Sequence, residues 1–245
     1  MIEHRSFFSK GLGGRSTYTV YLPHSVAASD PAVPVLYLLH GLFGSSANWL
    51  ELTDIFDSGF SSRLVIVMPD AGDNWYTDRD GAGYETLISD DLIRDVEGSI
   101  DLERERIIAG ISMGGYGAFK IALRHPDRYV RAAAFSGAFI VPRIEKHTSS
   151  DWHELLPSIE NVFHSMPESE LGRNDIFGLI KNVDAHMHLP DFYFDCGIDD
   201  AFIGVNRELD KMMDRSEIPH RFVERPGGHD WNYWTETVHE YLIEA

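Results

Sequence analysis

The chain has a single cysteine, Cys196, in 245 residues. That excludes an intrachain disulfide and a cysteine-cluster metal site, and it suits a reducing cytoplasm. Long apolar runs are missing too: no window reaches the roughly 18 consecutive apolar residues of a membrane span. Met1-Ile2-Glu3-His4-Arg5 is not a basic start with an apolar run behind it, so no secretory signal is expected and the expected location is cytoplasmic. Basic residues are scarce, 21 Lys and Arg against 39 Asp and Glu, for a formal net charge of −18. Such a surface repels phosphate backbones and anionic headgroups, so neither nucleic acid nor a membrane surface is an expected partner. Internal repeats, low-complexity tracts and Pro/Gly/Ser-rich linkers are also absent, and residues 1–245 read as one domain. What is present, 43% hydrophobic against 24% charged residues, suffices for a sizeable core.

Short apolar runs recur along the chain: Val35–Leu39, Leu64–Met68, Ile107–Ile111, Ala132–Phe135 and Phe192–Phe194. Runs of this length, bounded by turn residues, suit strands buried on both faces of a parallel sheet. Between them lie helical stripes: Ile88, Leu92 and Val96; Val205, Leu209, Met212 and Met213; and Trp234, Val238, Tyr241 and Leu242. The alternation predicts an α/β fold, a mostly parallel sheet with helices on both faces. Thr17–Leu22 alternates instead, and predicts an antiparallel strand at the sheet's edge. From about 140 to 190 the chain is longer than a simple connection. Trp152, Leu155, Leu156, Ile159, Val162 and Phe163 stand there at near-helical spacing, which predicts a helical insertion or partial lid.

Gly110-Ile111-Ser112-Met113-Gly114 fits G-x-S-x-G, with an apolar strand before it and a helix-compatible segment after it. That context is what a nucleophile elbow of an α/β-hydrolase requires: a tight strand-to-helix turn that lifts the serine hydroxyl above the sheet. A serine hydroxyl is a weak nucleophile and needs a base. In this arrangement the partners follow in the order serine, acid, histidine. Pro226-Gly227-Gly228-His229-Asp230-Trp231, after the strand-like Arg221-Phe222-Val223, puts His229 in the base position; His239 lies within a helical pattern and is poorly placed. The acid belongs after the strand around Phe192–Phe194, where Asp199 and Asp200 both qualify by position. The oxyanion donors are expected at the backbone N–H groups of Met113 and Leu42, the latter in His40-Gly41-Leu42-Phe43-Gly44. Trp75, Tyr76 and Trp231 are expected from their positions to line the substrate pocket.

These pieces resemble the esterase D-like "putative esterase" family, which includes tributyrin-type esterases, S-formylglutathione hydrolases, feruloyl and acetyl xylan esterases and mycolyltransferases. The matching segments run from Leu38–Gly44 through Pro69-Asp70, Gly110–Gly115, Ala122–Asp127, Phe135–Ala138 and Cys196–Asp200 to Pro226–Trp231, nearly the whole chain. The resemblance implies an acyl-enzyme mechanism on small esters, with no cofactor, and it favours Asp200 over Asp199 as the acid. Ile111 stands where S-formylglutathione hydrolases carry a histidine before the serine, which counts against a thioesterase.

Other chemistries fit less well. His186-Met187-His188 has two imidazoles on one strand face but no third ligand at a convincing spacing, so no metal site is expected. Asp78-Arg79-Asp80-Gly81 echoes a calcium loop but has Leu87 where the bidentate glutamate belongs. Gly11-Leu12-Gly13-Gly14 precedes a strand, so it reads as a hairpin turn and not a phosphate cradle. A non-enzymatic binding protein on the same scaffold usually loses the serine or the histidine, and both are here. An acyltransferase to a sugar hydroxyl would share the triad. Homo-oligomerisation is compatible with the sequence.

Overall fold

The computed structural model describes residues 1–23, 30, 32–56, 64–98, 104–142, 154–184 and 187–244. The apolar runs form the strands expected of them. Val35–Leu39 (β3) and Val65–Pro69 (β4) lie parallel, and Arg106–Ile111 (β7), Arg131–Phe135 (β8), Asp191–Gly197 (β9) and His220–Arg225 (β10) extend the parallel array. Ile2–Ser9 (β1) and Gly14–Tyr21 (β2) form an antiparallel hairpin, and β2 pairs antiparallel with β4. The eight-stranded order is β1-β2-β4-β3-β7-β8-β9-β10. Asp78–Arg79 (β5) and Ala82–Gly83 (β6) make a separate two-stranded ribbon.

Thr17–Leu22 is antiparallel, but it is the second strand and not the edge; β1 lies outside it. The reason is the sequence of β1: His4, Arg5 and Ser6 interrupt any apolar alternation, and Phe8 is exposed on an edge strand with one wet face. The glycine segment 11–14 does form the turn between the two strands.

The period-two alternation of the strands divides the core into two layers. Val35, Tyr37 and Leu39 of β3 join one cluster with Val67, Ile108, Ala134 and Phe194. Met113–Arg124 (α4) and Ile203–Arg215 (α8) pack on that side, with Phe119 beside Phe139, Phe192 and Phe194. Leu36, Leu38, Ile66, Ile111 and Phe135 face the other side, against Trp49 of α1 (Asn48–Glu51) and Trp234, Val238, Tyr241 and Leu242 of α9 (Trp231–Glu244). The stripe Ile88, Leu92 and Val96 runs from a π-helical segment, Leu87–Leu92, between α2 (Tyr84–Thr86) and α3 (Ile93–Glu97). Spacings of four residues keep the three side chains on one buried face.

Among the described residues between β8 and β9 are three short helices, Leu156–Phe163 (α5), Glu168–Asn174 (α6) and Ile176–Lys181 (α7). Ile159, Val162, Phe163, Ile176, Phe177 and Ile180 join the α4-side core; Trp152 lies outside the described residues. Polar contacts tie the helices down: the Tyr116 hydroxyl donates to Asn174 O (2.7 Å), Lys120 Nζ to Asn174 Oδ1 (3.1 Å), and Trp75 Nε1 to Ser158 Oγ (2.7 Å).

Candidate active site

Ser112 stands between β7 and α4 with φ 52° and ψ −115°, a conformation that an L-residue keeps only when its surroundings over-determine it. Here the surroundings are close-packed backbone. A Cβ on Gly110 would lie 2.5 Å from Gly114 C, and one on Gly114 would lie 2.5 Å from Leu39 O. The flanking glycines thus let β7, α4 and the end of β3 touch directly, and the turn has no room to relax. Its backbone is bonded on three sides: Ser112 N donates to Phe135 O (3.0 Å), and Ser112 O accepts from Tyr116 N and Ala138 N (3.1 Å each).

The two parallel strands at the far edge carry the partners. β9 leads to Asp200 and β10 leads to His229, and their exit loops interlock. Ile198 N donates to Arg225 O (2.8 Å) and Asp199 N to Gly227 O (3.0 Å). A Cβ on Gly197 would sit 2.2 Å from Gly227 O, so the two loops close up only with glycine there.

His229 Nε2 is 3.0 Å from Ser112 Oγ, and His229 Nδ1 is 2.8 Å from Asp200 Oδ2. Asp200 Oδ1 accepts from Phe202 N (2.8 Å). Asp200 is buried, whereas Asp199 is exposed. Burial alone would raise the Asp200 pKa, but bonding to His229, to Phe202 N–H and to the Ser136 hydroxyl outweighs it and holds the carboxyl below its ordinary range. An ionised Asp200 only accepts, so the proton of a neutral His229 sits on Nδ1 and the Nε2 lone pair faces the serine hydroxyl. The ring is held edge-on by Phe202 (5.1 Å) and Trp234 (4.8 Å).

Facing Ser112 from β3 is the loop His40–Ser46. His40 is buried; its Nδ1–H donates to Gly41 O (2.7 Å) and its Nε2 accepts from Ala71 N (3.2 Å). Burial pushes its pKa down, which keeps this ring neutral and suited to one donor and one acceptor. Asp73 Oδ1 accepts from Phe43 N (2.7 Å) and Asp70 Oδ1 from Ser46 N (2.6 Å). Among the described residues, the Leu42 and Met113 backbone N–H groups donate to no other residue. A cleft of about 430 Å³ opens over Ser112 and His229, walled by Leu42, Phe43, Leu155, Trp231 and Trp234.

Trp231 borders this cleft. Trp75 and Tyr76 do not line this cleft; both are wholly buried beneath it. The two residues have left-handed φ values, 52° and 49°, which turn their side chains under the site toward α4. Gly117 makes the space: a Cβ there would lie 2.5 Å from the Tyr76 ring. Tyr76 OH then donates to His40 O (2.9 Å), so it supports the loop from below. His186 lies outside the described residues. Among the described ones, no group of three or more His, Cys, Asp or Glu is placed to hold a metal ion, and no helix is long and apolar enough to cross a membrane.

Residues 9–245 match the protein family described as "Putative esterase". The chain belongs to this family. The esterase is 25% identical to an acetyl esterase of Caldicellulosiruptor saccharolyticus, over 95% of this chain and 93% of that one. A ferulic acid esterase structure superposes with a TM-score of 0.77 at 28% identity, covering 99% of this chain and 96% of the other. The Staphylococcus aureus fluorophosphonate-binding serine hydrolase F has the same fold, with a TM-score of 0.84 at 24% identity over 100% of this chain and 97% of that one.

Several residues of the esterase's site escape a reading of the sequence. Trp234 reads as one member of a helical stripe, yet it walls the cleft, touches His229 and donates from Nε1 to Ser136 Oγ (3.1 Å). Phe43, Leu52, Asn48 and Glu154 also border the cleft. Only the proximity of Phe43 to the oxyanion-type loop gave a signal for any of these.

Proposed function

We propose that this esterase hydrolyses short-chain acyl esters through an acyl-enzyme on Ser112. His229 Nε2 takes the hydroxyl proton as Ser112 Oγ bonds to the ester carbonyl carbon, and the carbonyl electron pair moves to its oxygen. The Met113 and Leu42 N–H groups receive that oxyanion. Collapse breaks the bond to the alcohol oxygen, which leaves with the proton from His229. Water then repeats the sequence against the acyl-Ser112, with His229 as base, and releases the acid. Asp200 holds the imidazole in the productive tautomer and offsets its positive charge. The helices α5–α7 form a partial lid, since Glu154 and Leu155 border the cleft at their start. The single, buried Cys196 suits a cytoplasmic setting.

The observation that carries this reading is the continuous Ser112–His229–Asp200 hydrogen-bonded chain, with links of 3.0 and 2.8 Å. The test is Ser112→Ala on a panel of p-nitrophenyl esters of rising chain length, beside methyl ferulate and an acetylated sugar. The variant is expected to melt like the wild type while kcat falls by roughly 10⁴ to 10⁶-fold. A fluorophosphonate probe is expected to label the wild type and not the variant. More than a tenth of wild-type activity in Ser112→Ala refutes the assignment.

A further inference from the structure

One buried carboxylate lies outside the proposed chemistry. Asp195 is on β9 with its side chain turned to the α9 side of the sheet, and it is fully buried. Its Oδ2 accepts from the Tyr193 hydroxyl (3.0 Å) and its Oδ1 from the Tyr233 hydroxyl (3.2 Å). No cation among the described residues pairs with it; Arg225 of β10 reaches the Tyr193 hydroxyl instead (3.4 Å) and pairs with Glu240 of α9. A carboxylate buried without a counter-ion is costly, and its fixed hydrogen bonds then define geometry sharply.

What those bonds define is the seat of His229. The Tyr233 ring presses on Gly227, where a Cβ would lie 2.5 Å from Tyr233 Cδ2, and Gly227 is two residues before His229. The next residue, Trp234, holds the His229 ring edge-on and donates to Ser136 Oγ. Ser136 N in turn donates to the backbone oxygen of Asp195 (2.8 Å). The exits of β8, β9 and β10 therefore meet at one residue. We propose that Asp195 is a positioning residue: its carboxylate, through the Tyr233 hydroxyl, fixes the loop that carries His229. The inference rests on His229 being the base.

Burial pushes the Asp195 pKa up to about 7, against the pull of Tyr193, Arg225 and Tyr233, with Glu240 adding to the rise. Above that pH the ionised carboxylate accepts both hydroxyls; below it, one oxygen carries a proton and the tether weakens. Protonation of Asp195 thus lowers activity on the acid side.

Steady-state kinetics on p-nitrophenyl acetate between about pH 5 and 9 test this in wild type, Asp195→Asn, Tyr233→Phe, the double variant and Ser112→Ala. The expected result for Asp195→Asn is a kcat lower by about tenfold or more with KM little changed, since a displaced base slows the chemical step. Tyr233→Phe keeps the ring on Gly227 and shows a smaller loss of the same kind. The double variant is no worse than Asp195→Asn, because both remove one bond. The acid limb of kcat/KM is steeper in wild type than in the variants, in which Asp195 no longer tethers the Gly227 loop. Lower melting temperatures with wild-type kcat and an unchanged acid limb overturn the proposal and leave Asp195 a packing residue. If Asp195→Asn fails to fold, Tyr233→Phe decides by the same readouts. An active Ser112→Ala topples the catalytic reading and this inference with it; an inactive Ser112→Ala beside a fully active, normally titrating Asp195→Asn overturns this inference alone.

Discussion

Asp199 and Asp200 are neighbours in the chain, and their side chains meet opposite environments. Asp199 contributes its backbone N–H to the loop contact with Gly227 and leaves its carboxylate in solvent. Asp200 is buried against His229. Asp200→Asn is expected to lower kcat by on the order of 10³-fold or more, because an amide can hold the imidazole in the wrong tautomer. Asp199→Asn is expected to stay within a few-fold of wild type. Equal, small losses in the two variants would remove Asp200 from the mechanism. Sequence spacing alone does not separate them, since a loop has no period; the resemblance to known esterases favours Asp200. Ser112 and His229 were legible because each sits in a short glycine-marked turn after a recognisable strand. Trp75 and Tyr76 are buried instead of lining the cleft, because two successive left-handed residues reverse the direction of side chains that position alone would send upward.

Among elements, the strand–turn–helix unit of β7 and α4 sets the height of Ser112, the proposed nucleophile, above the sheet. Gly114→Ala puts a methyl group 2.5 Å from Leu39 O and 2.7 Å from His40 O, both backbone atoms. The helix and the end of β3 must then separate. The expected cost is about 1–3 kcal/mol of stability, with kcat down by on the order of 10²-fold as Ser112 and the Leu42 loop move apart. Melting temperature and kcat measured on one preparation check both; wild-type values for the two would mean that the contact is not tight. Parallel strands buried on both faces declare themselves as continuous apolar runs, and all were legible. β1 was not, because half of an edge strand's residues face water and its partner supplies most of its hydrogen bonds.

Across the whole molecule, a buried polar cluster ties α4 to the ribbon and to the inserted helices. Lys120 Nζ donates to Tyr76 O, Thr77 Oγ1 and Asn174 Oδ1, and it lies 3.4 Å from Glu85, which also meets Arg124 and His125. Burial alone would raise the Glu85 pKa, but Lys120, the hydrogen bond from His125 and Arg124 hold it at about 2, down from 4.5. Burial draws Lys120 down to about 8, so at neutral pH both partners are charged. A carboxyl depressed in the fold stabilises it above the unfolded value, and that contribution drains away as pH falls toward 2. For Glu85 it is on the order of 3 kcal/mol. Urea melts at about pH 5 and pH 3 are expected to show a smaller acid-induced loss in Glu85→Gln than in wild type; equal losses would assign the acid sensitivity elsewhere. The interlocked glycines Gly197 and Gly227 have a consequence for engineering. The proposed acid, Asp200, and the proposed base, His229, behave as one cassette, cut at two places in the chain but fitted as a single part. Grafting this chemistry onto another sheet requires both exit loops together, whereas the serine turn can be transplanted by itself.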